Sequence, residues 1–164
     1  MTSMTIDRRY CGPPNSGNGG YVCGRLARQI PGGAEVILRA PPPLDKQLDV
    51  VATDDGSWEI RDGATVIATG RPASLELTRL EKASFGEACA AELLTPVKPH
   101  EHPLPTCFVC GPARAQGDGL RIFAGPLVRQ SGNASAVFAA TWTPDPTLTA
   151  EDGLVAPEFL WSAL

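Results

Sequence analysis

The chain has 164 residues, of which 17 are glycine and 16 proline, and 43% are hydrophobic. So many helix breakers exclude a helical bundle or coiled coil, while the apolar share is enough for a packed core. The net charge is −4, and the 14 basic residues are scattered, with Arg8-Arg9 the only adjacent pair, which excludes a phosphate-tracking stripe and predicts no nucleic-acid partner.

No stretch reaches the roughly 20 apolar residues of a membrane helix, and residues 1–10 lack the apolar core of a secretory signal. A cytoplasmic protein with no membrane partner is the expectation. Five cysteines, Cys11, Cys23, Cys89, Cys107 and Cys110, are an odd number without an export signal, so a disulfide framework is not expected. Cys23 and Cys89 fall in apolar helical patterns and read as small core residues.

Residues 1–18 read as loop, with Cys-Gly-Pro-Pro-Asn-Ser-Gly-Asn over 11–18. A helix is predicted from Gly19 or Gly20, capped by Asn18 and stopped by Pro31-Gly32-Gly33. Tyr21, Val22, Leu26 and Ile30 approximate one face. Cys23, Gly24 and Ala27 are small, which implies a close neighbour. Strands are predicted over 35–39, 48–52, 57–61, 64–68 and 74–78, with Pro41-Pro42-Pro43 breaking the first and Asp62-Gly63 making a hairpin turn. Short connections imply antiparallel pairing.

A second helix is predicted over 84–94, with Ser84 and Glu87 in capping-box spacing. Prolines 96, 99, 103 and 105 then mark an extended linker, placed at 99–106. Beyond it, strands are expected over 119–123 and 134–140. A last helix is expected to open on Pro157, with Glu158 favoured in its first turn and Phe159, Leu160, Ala163 and Leu164 along one face. Trp58 reads as a core or dimer-face residue, and Trp161 as a core residue.

Two motifs carry a family resemblance. Asn18-Gly19-Gly20-Tyr21 opens a helix and Val36-x-Leu38-Arg39-Ala40-Pro41-Pro42-Pro43 follows it; later come Cys107-Phe108-Val109-Cys110-Gly111-Pro112 and Gly119-Leu120-Arg121-Ile122-Phe123. This order resembles hotdog-fold acyl-CoA thioesterases. The resemblance implies an α+β hotdog fold, an antiparallel sheet wrapped around a central helix. It also implies two tandem repeats, a first at 10–98 lacking its opening strand and a second, incomplete one at 107–164. The implied partner is acyl-CoA or another acyl thioester, the implied assembly a homodimer, and no cofactor is required. The sequence departs from the family's His-Gly-Gly form: Asn18 stands where the His would be, and Ala27 where an acid would follow the glycines. A chain stopping short of the second repeat's acid is expected on this alignment.

On that reading Gly20 and Asn18 present donors to a thioester carbonyl, and Glu158 is the candidate carboxylate. Asn15, Gly19 and Tyr21 are the candidate substrate contacts. The plainer reading is that 12–20 is a loop capping a packed helix and that Glu158 merely complements the helix dipole. A non-catalytic acyl- or CoA-binding module is the alternative that Ala27 favours. A further alternative is a zinc-stabilised interaction domain, with Cys107 and Cys110 as ligands beside His100 and His102. No thioredoxin-like βαβ pattern surrounds the Cys-x-x-Cys.

Overall fold

Residues 2–77, 81–128, 137–150 and 152–163 are described by a computed structural model. The protein is α+β, built on a five-stranded antiparallel sheet. The strands are β1 (Thr2–Thr5), β2 (Ala34–Leu38), β3 (Gln47–Ala52), β4 (Trp58–Asp62) and β5 (Thr65–Pro72). Their order across the sheet is β1-β3-β4-β5-β2. Only β3, β4 and β5 form a meander. The tight β4–β5 turn places Gly63 at φ 57°, in the left-handed region that glycine enters without steric cost.

Helix α1 (Gly19–Ala27) lies between β1 and β2 in sequence and packs on β2, β4 and β5. The Asn18 side chain caps it by accepting from the Tyr21 N–H at 2.9 Å. Val22 and Leu26 face the sheet and are fully buried with Leu48, Ile60 and Ala68. Ile30, just past the helix, is buried too. Helix α2 (Phe85–Glu92) carries the expected capping box of Ser84 and Glu87.

The second half of the chain adds a two-stranded ribbon, β6 (Gly125–Pro126) with β7 (Phe138–Ala139), and helix α3 (Pro157–Ser162). Phe108, Leu120, Leu148, Ala156 and Phe159 join the buried cluster that holds Tyr21, Val22 and Leu26. Tyr10 and Tyr21 stack with ring centroids 4.2 Å apart, and Phe108 and Phe159 close around them. Helix α3 lies directly on α1. A Cβ at Gly24 would fall 2.6 Å from the Glu158 Cα and 2.8 Å from the Trp161 Cβ, and one at Gly20 would overlap the Trp161 carbonyl oxygen. The four-residue spacing puts both glycines on one helix face, so the small-residue pattern of α1 is a seat for α3.

Several expectations are corrected. The opening segment is not all loop: β1 pairs with β3, with Met4 opposite Leu48, and Met4 and Ile6 are buried. This strand precedes the bounds expected for the first repeat and is too short to show an alternating pattern in the sequence. Residues 74–77 form no strand, because β5 runs on to Pro72 beside β2 and leaves Leu75 and Leu77 exposed; residue 78 lies outside the described residues. Residues 119–123 form no strand either, since Arg121 has φ 55° and breaks the extended run. Of the strand expected over 134–140, 138 and 139 are strand, and 134–136 lie outside the described residues. The linker is not wholly extended, since Pro99–Glu101 is a turn of 3-10 helix. On α3, Phe159 is buried but Leu160 faces outward, Ala163 is exposed, and residue 164 lies outside the described residues.

Candidate functional site

The N-terminal end of α1 meets three pieces of chain. Gly17 donates its N–H to the Pro42 carbonyl at 2.9 Å, which ties the loop before α1 to the proline run after β2. Between them lies an open groove of about 550 Å³. Its walls are Pro13, Gly17, Leu38, Pro41 and Pro42, and Gly19 and Arg39 reach it at the helix end. A Cβ on Gly19 would sit 3.2 Å from Leu38, so glycine keeps this end of the groove open. Gly19 and Gly20 are the first two helical residues, so their N–H groups have no carbonyl one turn back. The helix end adds a partial positive charge there. Arg39, which also lines the groove, donates through Nε to the Thr69 hydroxyl at 3.1 Å.

The Asn18 oxygen caps α1. Residues 107–111 form a tight turn closed by the Gly111 N–H on the Cys107 carbonyl at 2.8 Å. Gly111 is required there, because a Cβ would press between the Cys107 nitrogen and the Pro105 carbonyl, 2.6 Å from each. Hydrogen bonding from the Cys110 thiol, and then from the backbone N–H groups of Cys110 and Val109 and from Asn18, holds the Cys107 pKa down to about 5 although burial pushes it up. Cys110 is raised in turn, first by that shared hydrogen bond and then by burial and the neighbouring charge.

The other predicted residues are placed as follows. Tyr21 is buried in the aromatic cluster, and its hydroxyl accepts from Arg25 at 2.9 Å. Burial raises its pKa, against the lowering pull of Arg25. Asn15 is exposed on the loop before α1 and does not line the groove. Glu158 is only 6% exposed and accepts from Arg28 at 2.9 Å through Oε1, while its buried Oε2 has no partner. Glu158 packs against Gly24 and Arg28, a turn or more along α1 from Gly20. Asn18, Gly19 and Gly20 are therefore brought together, and Glu158 is not brought to them.

His102 accepts the Leu104 N–H through Nδ1, and His100 lies 3.5 Å from Glu101. Among the described residues no three His, Cys, Asp or Glu side chains group as metal ligands, so the two histidines do not complete a four-ligand set with Cys107 and Cys110. No helix among them is long and apolar enough to cross a membrane. Sequence reading missed the groove walls, for which the Pro41–Pro43 run was a signal. Compared with protein-family models, with curated proteins and with solved structures, the chain matches none.

Proposed function

We propose that the protein is a hotdog-type domain that binds acyl thioesters, with the acyl group in the groove beside Gly19. One observation carries the reading: the groove is walled by prolines and Leu38 and ends on the open N–H groups of a helix start. Apolar walls suit an acyl chain. The first-turn N–H groups suit a thioester carbonyl, whose oxygen carries partial negative charge. Arg39 in the lining suits a phosphate of the carrier. The placing of α1 between the first two strands and over the sheet agrees with the architecture that the family resemblance implies.

Binding is favoured over hydrolysis. Hydrolysis needs a base or nucleophile at the carbonyl, and among the described residues the groove lining contains no carboxylate. The nearest candidate from sequence, Glu158, is committed to Arg28. The test is titration with acyl-CoA of several chain lengths and with free CoA, following melting temperature and thiol release together. Acyl-CoA should raise the melting temperature without releasing thiol, and Leu38→Asp should abolish the shift while leaving the fold intact. Equal stabilisation by free CoA would remove the acyl groove from the account, and steady thiol release would establish a hydrolase.

A further inference from the structure

The path open to an acyl chain from Gly19 is set by packing. One path runs inward, between α1 and the sheet, and it is closed at both ends. At the start of α1 the Gly17 backbone lies on the core. A Cβ there would meet Ile6 Cγ2 at 3.0 Å, Val22 Cγ2 at 3.2 Å and Pro42 Cβ at 3.3 Å. Ile6, Val22 and Pro42 are fully buried, and the Gly17 N–H on the Pro42 carbonyl fixes this floor. At the other end of α1, a Cβ on Gly70 of β5 would fall 2.7 Å from Ile30 Cδ1. It would fall 3.3 Å from both Leu26 Cδ2 and Val36 Cγ2. Carbon pairs prefer about 3.5–4.0 Å, so neither end has room for a methylene chain. Leu38 closes the space beside Gly19, its Cδ2 lying 3.2 Å from where a Gly19 Cβ would be.

The other path runs outward along the groove. Pro13 and Pro41 are exposed, so a chain lying on them keeps one side in water. A space of about 550 Å³ is about 10 Å across, which an extended chain of about six to eight carbons fills at bonds of about 1.5 Å.

We propose that the groove takes short acyl groups, of up to about eight carbons, laid along the prolines, and that Leu38 sets this limit. This rests on the acyl-thioester reading and adds the length of the acyl group to it. The Leu38 side chain fills the corner between Gly19 and β2, so the chain turns outward. Methylenes beyond the prolines stay in water and add nothing to affinity. Leu38 is 40% exposed, so truncating it opens the space beside Gly19 at little cost to the fold.

Isothermal titration calorimetry with free CoA and with acetyl-, butyryl-, hexanoyl-, octanoyl-, decanoyl- and dodecanoyl-CoA tests this. A fully buried methylene is worth about fourfold in affinity, so one with a side in water should give about twofold. The Kd should tighten at that rate up to octanoyl and then stay level to dodecanoyl. In Leu38→Ala the levelling should move to decanoyl or longer. Tightening that continues at the same rate through dodecanoyl in the parent protein would overturn the limit and leave acyl-thioester binding standing. Levelling at octanoyl in folded Leu38→Ala protein would overturn the role of Leu38. Acyl-CoA of every length binding no tighter than free CoA would overturn the limit together with the reading on which it rests.

Discussion

Replacing Gly24 with alanine tests whether the α1–α3 contact is as close as described. On an isolated helix this change stabilises by about 1 kcal/mol, because glycine has more backbone freedom to lose. Here the new methyl would lie 2.6 Å from the Glu158 Cα and 2.8 Å from the Trp161 Cβ. Carbon pairs prefer about 3.5–4.0 Å, so one helix must retreat by about 1 Å. The first obstacle is backbone and cannot rotate away. Overpacking of this kind costs about 1–3 kcal/mol, and a gap of about 1 Å opened beside buried Phe159 forfeits up to half of each affected contact. Set against the helix gain, a net loss of about 2 kcal/mol is expected, which lowers the melting temperature by about 4–8 °C for a chain of this size. Gly86→Ala on α2 is the matched control, since nothing lies within 4 Å of a Cβ there; it should be neutral or raise stability by up to about 1 kcal/mol. Urea and thermal melts by circular dichroism measure both. A Gly24→Ala protein as stable as the parent would refute the close seat for α3.

Three further outcomes are expected. Asn18→Ala removes the α1 cap and should cost about 1 kcal/mol in a thermal melt, while thiolate absorbance should show the Cys107 pKa moving up from about 5. Arg28→Ala should destabilise more than Glu158→Gln in parallel denaturant melts, because the first strands a buried carboxylate and the second replaces it with a neutral amide. The third is a pH dependence of stability. Cys107 is depressed from its ordinary 9.0 to about 5 on folding, so between these values the unfolded chain binds the extra proton and stability rises with pH. Its contribution is complete above about pH 9 and disappears as pH falls through about 5, while raised Cys110 acts oppositely above the ordinary thiol range. Melts from pH 5 to 9 should show this rise, and Cys107→Ser should flatten it.

Local signals carried most of the sheet. The Asp62-Gly63 turn, the Ser84 capping box and the Asn18 cap all act over two to four residues, and each is present. What the sequence could not display is pairing between distant segments. Strand β1 has one inward residue within its four and depends on β3 for its definition. The alternation of Leu75 and Leu77 looks like a strand, but β5 already has β4 and β2 on its two edges, so no partner remains there for 74–77. At the site, the Gly-Gly helix start was legible because its chemistry is local. Glu158 was legible as a first-turn acid, but its distance from Gly20 depends on how α3 lies on α1.

The contact between Arg28 and Glu158 joins positions 130 residues apart. Contacts of such separation slow folding, because the chain between them must be ordered before they form. During synthesis at about 5–20 residues per second, α1 and its glycine face emerge roughly 10 s before α3 does. For that interval Gly20 and Gly24 lie uncovered, and Tyr10 and Tyr21 stack without Phe108 and Phe159 to close over them. The sheet can assemble early from its own turns, but the aromatic cluster is finished only by the last helix. The nascent chain therefore passes through a stage in which the glycine face of α1 and the stacked tyrosines stay uncovered until α3 has been made.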